Sequence, residues 1–127
     1  MKKIIAKEIY PVYQLEIEKS NFNKSIWDIL NHYLKKIEED SVAELIWVFD
    51  HYTHTKKINW PIVDGVVDAK IVVFCFGSKI SSIISLTFKP KSFSIIETED
   101  KFIIEFMEPP SEIAVKKMTN WTKELLA

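Results

Sequence analysis

At 127 residues and 14.9 kDa the chain has room for one domain with an ordinary buried core, and 47% apolar against 28% charged residues excludes a disordered chain. Two glycines exclude collagen-like or Gly-rich low-complexity material, and a net charge of −1 excludes a protein that coats nucleic acid or an anionic membrane. All 17 basic residues are lysine, so the bidentate arginine fork used to read phosphate, carboxylate or guanine is missing, and no nucleic-acid partner is expected.

Met1 to Ala6 begins like a secretion signal, but Lys7 and Glu8 end the apolar run before an h-region forms. No apolar stretch approaches the ~20 residues of a membrane helix. The lone Cys75 cannot form an intrachain disulfide, which suits a reducing compartment. The expectation is a cytoplasmic protein with no membrane partner.

Ile4 to Tyr10 reads as an extended segment, with Pro11 marking an edge, a bulge or a break. Tyr13, Leu15 and Ile17 then alternate with Gln14, Glu16 and Glu18, the pattern of a half-buried strand. Ser25 opens a helix, with Asp28 three residues on as its capping-box partner. Ile26, Ile29, Leu30, Tyr33, Leu34 and Ile37 fall on one stripe of that helix. Glu44 to Phe49 is a short run of β-formers in which Trp47 takes a core-like place. Ala69 to Phe76 is apolar on both faces from Ile71 onward, which predicts a central strand covered on both sides or lying near a subunit contact. Within it Cys75 reads as a small buried hydrophobe.

Ile84, Leu86 and Phe88 alternate with Ser85, Thr87 and Lys89 to predict another strand. Phe93 to Glu97 and Phe102 to Met107 flank Glu99-Asp100 as a hairpin. Pro109-Pro110 sets up a last helix whose Ala114, Met118, Trp121 and Leu125 face inward. Residues 1–127 therefore predict a single two-layer α+β domain. Its sheet is an antiparallel-rich mixed one of five to six strands, with two main helices in the order β-α-β-β-β-β-β-α and a short helix after Asp50.

Three phrases carry a resemblance: Val48 to Lys57, Val72 to Gly77, and Lys89-Pro90-Lys91. Together they resemble a small bacterial and archaeal domain of unknown function with Asp-His, Phe-Gly-Asn-Pro and Leu-Pro-Leu-Lys motifs. Asp50-His51 matches the first motif, Phe76-Gly77 the start of the second and Phe88 to Ser92 the third, with Glu108-Pro109 where that family has Asp-Pro. A narrower uncharacterised bacterial family with Phe-Asp-His-Tyr-x-His-Thr-Lys and Phe-Cys-Phe-Gly phrases is similar too. The chain departs from the wider pattern at Ser78-Lys79 and in a shortened Ile80 to Ser85. The resemblance, which spans Ser25 to the C-terminus, implies an α+β fold and a homodimer.

Asp50 fits an N-cap, and His51 and His54 share a face in the helix that it would start. Two imidazoles are half of a metal site; Asp50, Cys75 or Glu97 would have to complete it, since His32 lies in the first helix. Alternatively His51 is a general base oriented by Asp50 or another carboxylate. The plainer reading leaves Asp50 a cap, His51 packed or bonded to a carbonyl, and His54 solvated. Trp27 and Trp60 are candidate exposed aromatic contacts, while Trp121 packs. Lys89 and Lys91 flank Pro90 and either bind an anion or guard a strand edge.

No complete catalytic set and no cofactor motif is present. The favoured expectation is a small non-enzymatic homodimer that binds a small ligand or protein partner, through candidate residues Asp50, His51, His54, Trp60, Lys89 and Lys91. The rival is a metal- or histidine-dependent enzyme using Asp50, His51 and His54.

Overall fold

The computed structural model describes residues 1–77, 80 and 85–127. The chain opens with a hairpin. Strands β1 (Lys2–Ala6) and β2 (Tyr10–Glu18) pair antiparallel around a turn in which Lys7 and Glu8 have φ of 49° and 67°. This turn interrupts the extended segment expected over Ile4 to Tyr10, and Pro11 itself marks neither an edge, a bulge nor a break. Pro11 continues β2 opposite Ile5, and its carbonyl accepts the Glu108 amide at 2.9 Å, so the ring costs the ladder little here.

Helix α1 (Ile26–Glu39) begins at a complete capping box: Ser25 Oγ accepts the Asp28 amide and the Asp28 carboxylate accepts the Ser25 amide at 2.8 Å. Ile26, Ile29, Leu30, Tyr33 and Ile37 of its apolar stripe are buried, and Leu34 at the margin is partly buried. Asp40 ends the helix and takes three donors, the amides of Val42 (3.1 Å) and Ala43 (3.0 Å) and the Lys117 ammonium (2.8 Å). Strand β3 (Ala43–Phe49), helix α2 (His51–Lys57) and strand β4 (Val66–Phe76) follow, the chain turning into β4 at Gly65, whose φ of +94° suits glycine alone. Strands β5 (Lys91–Thr98) and β6 (Lys101–Met107) form the expected hairpin, and α3 (Glu112–Lys123) closes the fold from its Ser111 cap.

The six strands lie in the order β1-β2-β6-β5-β4-β3, and every pairing is antiparallel. Side-chain alternation separates two faces. Leu15, Ile17, Val72, Phe74, Phe93, Ile95, Phe102, Ile104 and Phe106 join the α1 and α3 stripes in one core. The opposite face carries Ile71, Val73 and Cys75 of β4 with Ile96 and Ile103 of β5 and β6. Strand β4 is paired with β5 along its length and with β3 from Ile71 onward. Helices α1 and α3 lie on its core face, while on the other face α2 reaches the Phe49–Ile71 end through His51 and His54, so the cover on both sides read from its apolar run is partial. Cys75 sits on the uncovered face and is half-exposed rather than buried. Among the described residues no helix is long and apolar enough to cross a membrane.

Two further expectations change. Trp47 is 67% exposed, not in the core. A bulge between Leu45 and Trp47 shifts the register, so Trp47 meets Val73 on the uncovered face and Val48 meets Val72 in the core. Without the extra residue Trp47 would have pointed inward. The strand expected from Ile84 fails where it is described: Ser85–Phe88 is a 3-10 turn, and Ile84 lies outside the described residues. Pro90, which has no amide to give a ladder, follows this turn almost at once, and the next strand begins at Lys91.

At the centre Tyr33 stacks on Phe93 with ring centroids 4.0 Å apart, and its hydroxyl lies 2.8 Å from Thr122 Oγ1. Thr122 spends its own proton on the Met118 carbonyl, so the Tyr33 hydroxyl donates to Thr122. Burial raises the Tyr33 phenol above its ordinary range, with the Thr122 bond opposing. The two partners are therefore unequal. Tyr33→Phe should cost about 1 kcal/mol, because Thr122 keeps its carbonyl, whereas Thr122→Val strands a buried hydroxyl and should cost about 2 kcal/mol. Urea unfolding of both single variants and the double checks this: the double should be more stable than Thr122→Val alone.

Candidate functional site

The sequence candidates separate into two groups at different places in the fold. The first surrounds α2, which occupies the place beside the first half of β4 that β3 leaves free. Asp50 caps α2, its Oδ1 accepting the Thr53 amide at 3.3 Å. Trp60 donates its amide to the Thr55 carbonyl after the chain turns at Asn59, where φ is 59°. His51 and His54 lean on Phe49 from one helix face, with ring centroids at 5.0 and 5.4 Å. A cleft of about 390 Å³ brings these two imidazoles together with Phe49, Ile58, Trp60 and Pro61. Trp60 is the exposed aromatic that the sequence suggests.

Asp50 does not share that cleft. Its carboxylate turns to Lys70 Nζ at 3.3 Å, and His51 Nδ1 pairs instead with Thr55 Oγ1 at 2.8 Å. No carboxylate orients His51 among the contacts described. Burial pushes the Asp50 carboxyl up, but the Thr53 and Lys70 hydrogen bonds outweigh it and hold the group below the usual aspartate range. Glu97 is taken by Lys19 at 2.6 Å, and the His32 Nε2–H donates to the Trp121 carbonyl at 2.6 Å. Among the described residues no three His, Cys, Asp or Glu side chains cluster at metal-binding reach.

Lys70 is the residue that the sequence reading passed over. It is 2% exposed on the core side of β4, between Asp50 and Asp68 (3.2 Å) and under the Trp27 ring, 4.3 Å from its centroid. Trp27, although 55% exposed, thus serves as a lid on a buried cation. The signal was present as Asp68 and Lys70 on one face of a strand that is otherwise apolar.

The second group lies where β4 ends and α3 begins. Phe76, Lys89, Lys91 and Pro110 come together with Phe88 and Lys117 around a cleft of about 380 Å³. Lys117 is held by Asp40 and lies 5.3 Å from the Phe76 ring centroid. Lys91 donates to the Phe88 carbonyl. Burial, and then the neighbouring Lys89 ammonium, push Lys91 below the ordinary lysine range. The same junction brings together parts of the three phrases Phe76-Gly77, Lys89-Pro90-Lys91 and Glu108-Pro109-Pro110, which are distant in sequence.

A six-stranded antiparallel sheet backed by two helices, with one cationic and one aromatic-imidazole cleft, defines a small two-layer α+β domain. A solved structure shares the fold: an uncharacterized conserved protein, DUF302, from Bacillus stearothermophilus, superposes with a TM-score of 0.56 at 11% identity over 89% of this chain and 86% of that one. The family model of DUF6858, a family of unknown function, matches residues 1–127, and the chain belongs to that family. No curated protein matches it.

Proposed function

We propose that the domain is a non-catalytic binding module that works as a cytoplasmic homodimer, two copies packing through the uncovered faces of their sheets. The uncovered apolar face carries this reading. Trp47, Ile71, Val73, Ile96 and Ile103 form one patch there, and α1 and α3 both lie on the other side. Six strands at about 4.8 Å and about seven residues at 3.4 Å make a face of roughly 700 Å², close to the ~800 Å² that each partner gives to a standard interface. The polar pairs Gln14–Glu105 and Glu16–Lys101 lie on the β2 side of the same face and supply a rim. A sheet stacked on its own copy about 10 Å away is the ordinary geometry of a β-sandwich core.

The non-catalytic part of the reading is supported by how the imidazoles are engaged. His51 is tied to Thr55, His54 rests on Phe49, and Asp50 serves Lys70. Light scattering after size exclusion at ~20 μM should give about 30 kDa, twice the 14.9 kDa chain, as for an isologous pair. Ile96→Lys should weaken that dimer more than about 100-fold, and Trp47→Ser, at a site open to solvent, about 10-fold. A monomeric wild type at this concentration overturns the reading. So does a dimer that both variants leave intact.

A further inference from the structure

The cleft between the end of β4 and the start of α3 has two kinds of wall. Val42, Phe76, Phe88 and Ile113 give it an apolar lining, and Phe88 and Ile113 are 54% and 72% exposed although nothing in the described chain packs over them. Lys89, Lys91 and Lys117 stand on the same cleft. Lys117 has Asp40 for its counter-charge, whereas among the described residues neither Lys89 nor Lys91 has a carboxylate within ion-pair reach. The nearby acidic groups Glu108 and Glu112 line the neighbouring groove along α3, and Glu108 is paired with Lys3 at 2.7 Å.

A surface lysine with no carboxylate partner is ordinary. Two of them beside one partly enclosed apolar cleft are a different matter, because burial of the cleft by a ligand would strengthen their field. A neutral apolar ligand would bury that lining and leave the two ammonium groups without counter-charge. A small inorganic anion would pair with them and leave Phe88 and Ile113 in water. The complement of both is one molecule with an anionic head and a short apolar body. The volume sets its length: about 380 Å³ holds roughly a dozen water-sized groups at ~30 Å³ each.

We propose that this cleft binds a small amphipathic carboxylate, its head between Lys89 and Lys91 and its apolar body against Phe76, Phe88 and Ile113. Lysine suits this role better than phosphate recognition, since it offers point charges and no bidentate fork. The inference rests on the reading of the protein as a binding module and adds the ligand class.

Sodium decanoate, with a dozen non-hydrogen atoms, is the probe. Titration calorimetry on the full chain should give one site per chain with a Kd of about 10–100 μM, within what a ligand of that size reaches. Uncharged 1-decanol should bind at least 10-fold more weakly, and raising the salt should weaken decanoate alone. Lys89→Gln/Lys91→Gln should lose at least 10-fold with an unchanged melting temperature. Ile113→Asp, at an exposed position, should lose as much. Decanol binding as tightly as decanoate overturns the inference, and so does decanoate binding that survives both variants or is absent at 1 mM. A dimer that ignores decanoate removes this ligand class and keeps the dimer; a monomer that binds it does the reverse.

Discussion

Replacing Asp50 and Asp68 together by asparagine will lower unfolding stability by about 2–3 kcal/mol, more than the sum of the two single replacements. Asparagine keeps the shape of each side chain and still caps α2, so the change isolates charge. What it removes is the counter-charge of Lys70, which is 2% exposed and, among the described residues, has the Trp27 ring as its remaining cation partner. With one carboxylate left the cation stays paired; with neither, a buried charge has lost its partners. The expected cost lies below that of a fully buried pair because Asp50 is 42% exposed and water screens its share. Lys70→Met added to the double variant should restore most of the loss, since an unbranched apolar side chain fills the space under Trp27 and removes the charge. Urea unfolding followed by tryptophan fluorescence measures all of these. A double variant within ~0.5 kcal/mol of wild type would show that water already solvates Lys70.

What the sequence made legible is local. The α1 stripe, the Ser25–Asp28 box, the Asp50 cap and the common face of His51 and His54 each depend on residues within one or two helical turns. The β5–β6 hairpin was legible for the same reason. Trp47 was not, because one bulged residue in β3 reverses the parity of everything after it, and a bulge leaves no mark in the alternation of so short a run. Nor was the 3-10 turn at Ser85–Phe88, since three alternating apolar residues match a strand whether or not a ladder takes them up. The sites depend on the same distinction. Asp50 looked like a partner for its neighbour His51, yet chain direction at the end of β3 hands its carboxylate to Lys70 on the next strand. Lys89 and Lys91 were visible as a pair, but only the sheet order and the α3 entry bring Phe76 and Lys117 to them.

Asp40 is where fold and cleft meet, and its replacement should move both. Burial raises the Asp40 carboxyl, but the Lys117 ion pair and the Val42 and Ala43 amides outweigh it, so the group titrates below its ordinary range. A folded-state value below the unfolded one of about 3.9 means that the unfolded chain binds the proton more readily at low pH. The stabilisation from Asp40 is then complete above about pH 4–5 and disappears as pH falls through the lower folded-state value. Asp40→Asn keeps an oxygen for the two amides but turns an amide group toward Lys117, and should cost about 2 kcal/mol at pH 7. The gap between wild type and variant should narrow as pH falls below about 4 and close once Asp40 is protonated in the folded state. The same variant frees Lys117, which already stands on the cationic cleft, for any anion bound there. Decanoate affinity should therefore rise about twofold to fivefold while the protein becomes less stable, an opposition that general loosening of the fold would not produce. Unfolding at pH 7 and pH 3 with decanoate titration at pH 7 tests both halves, and weaker decanoate binding in Asp40→Asn would mean that Asp40 holds Lys117 in place for the ligand rather than competing with it.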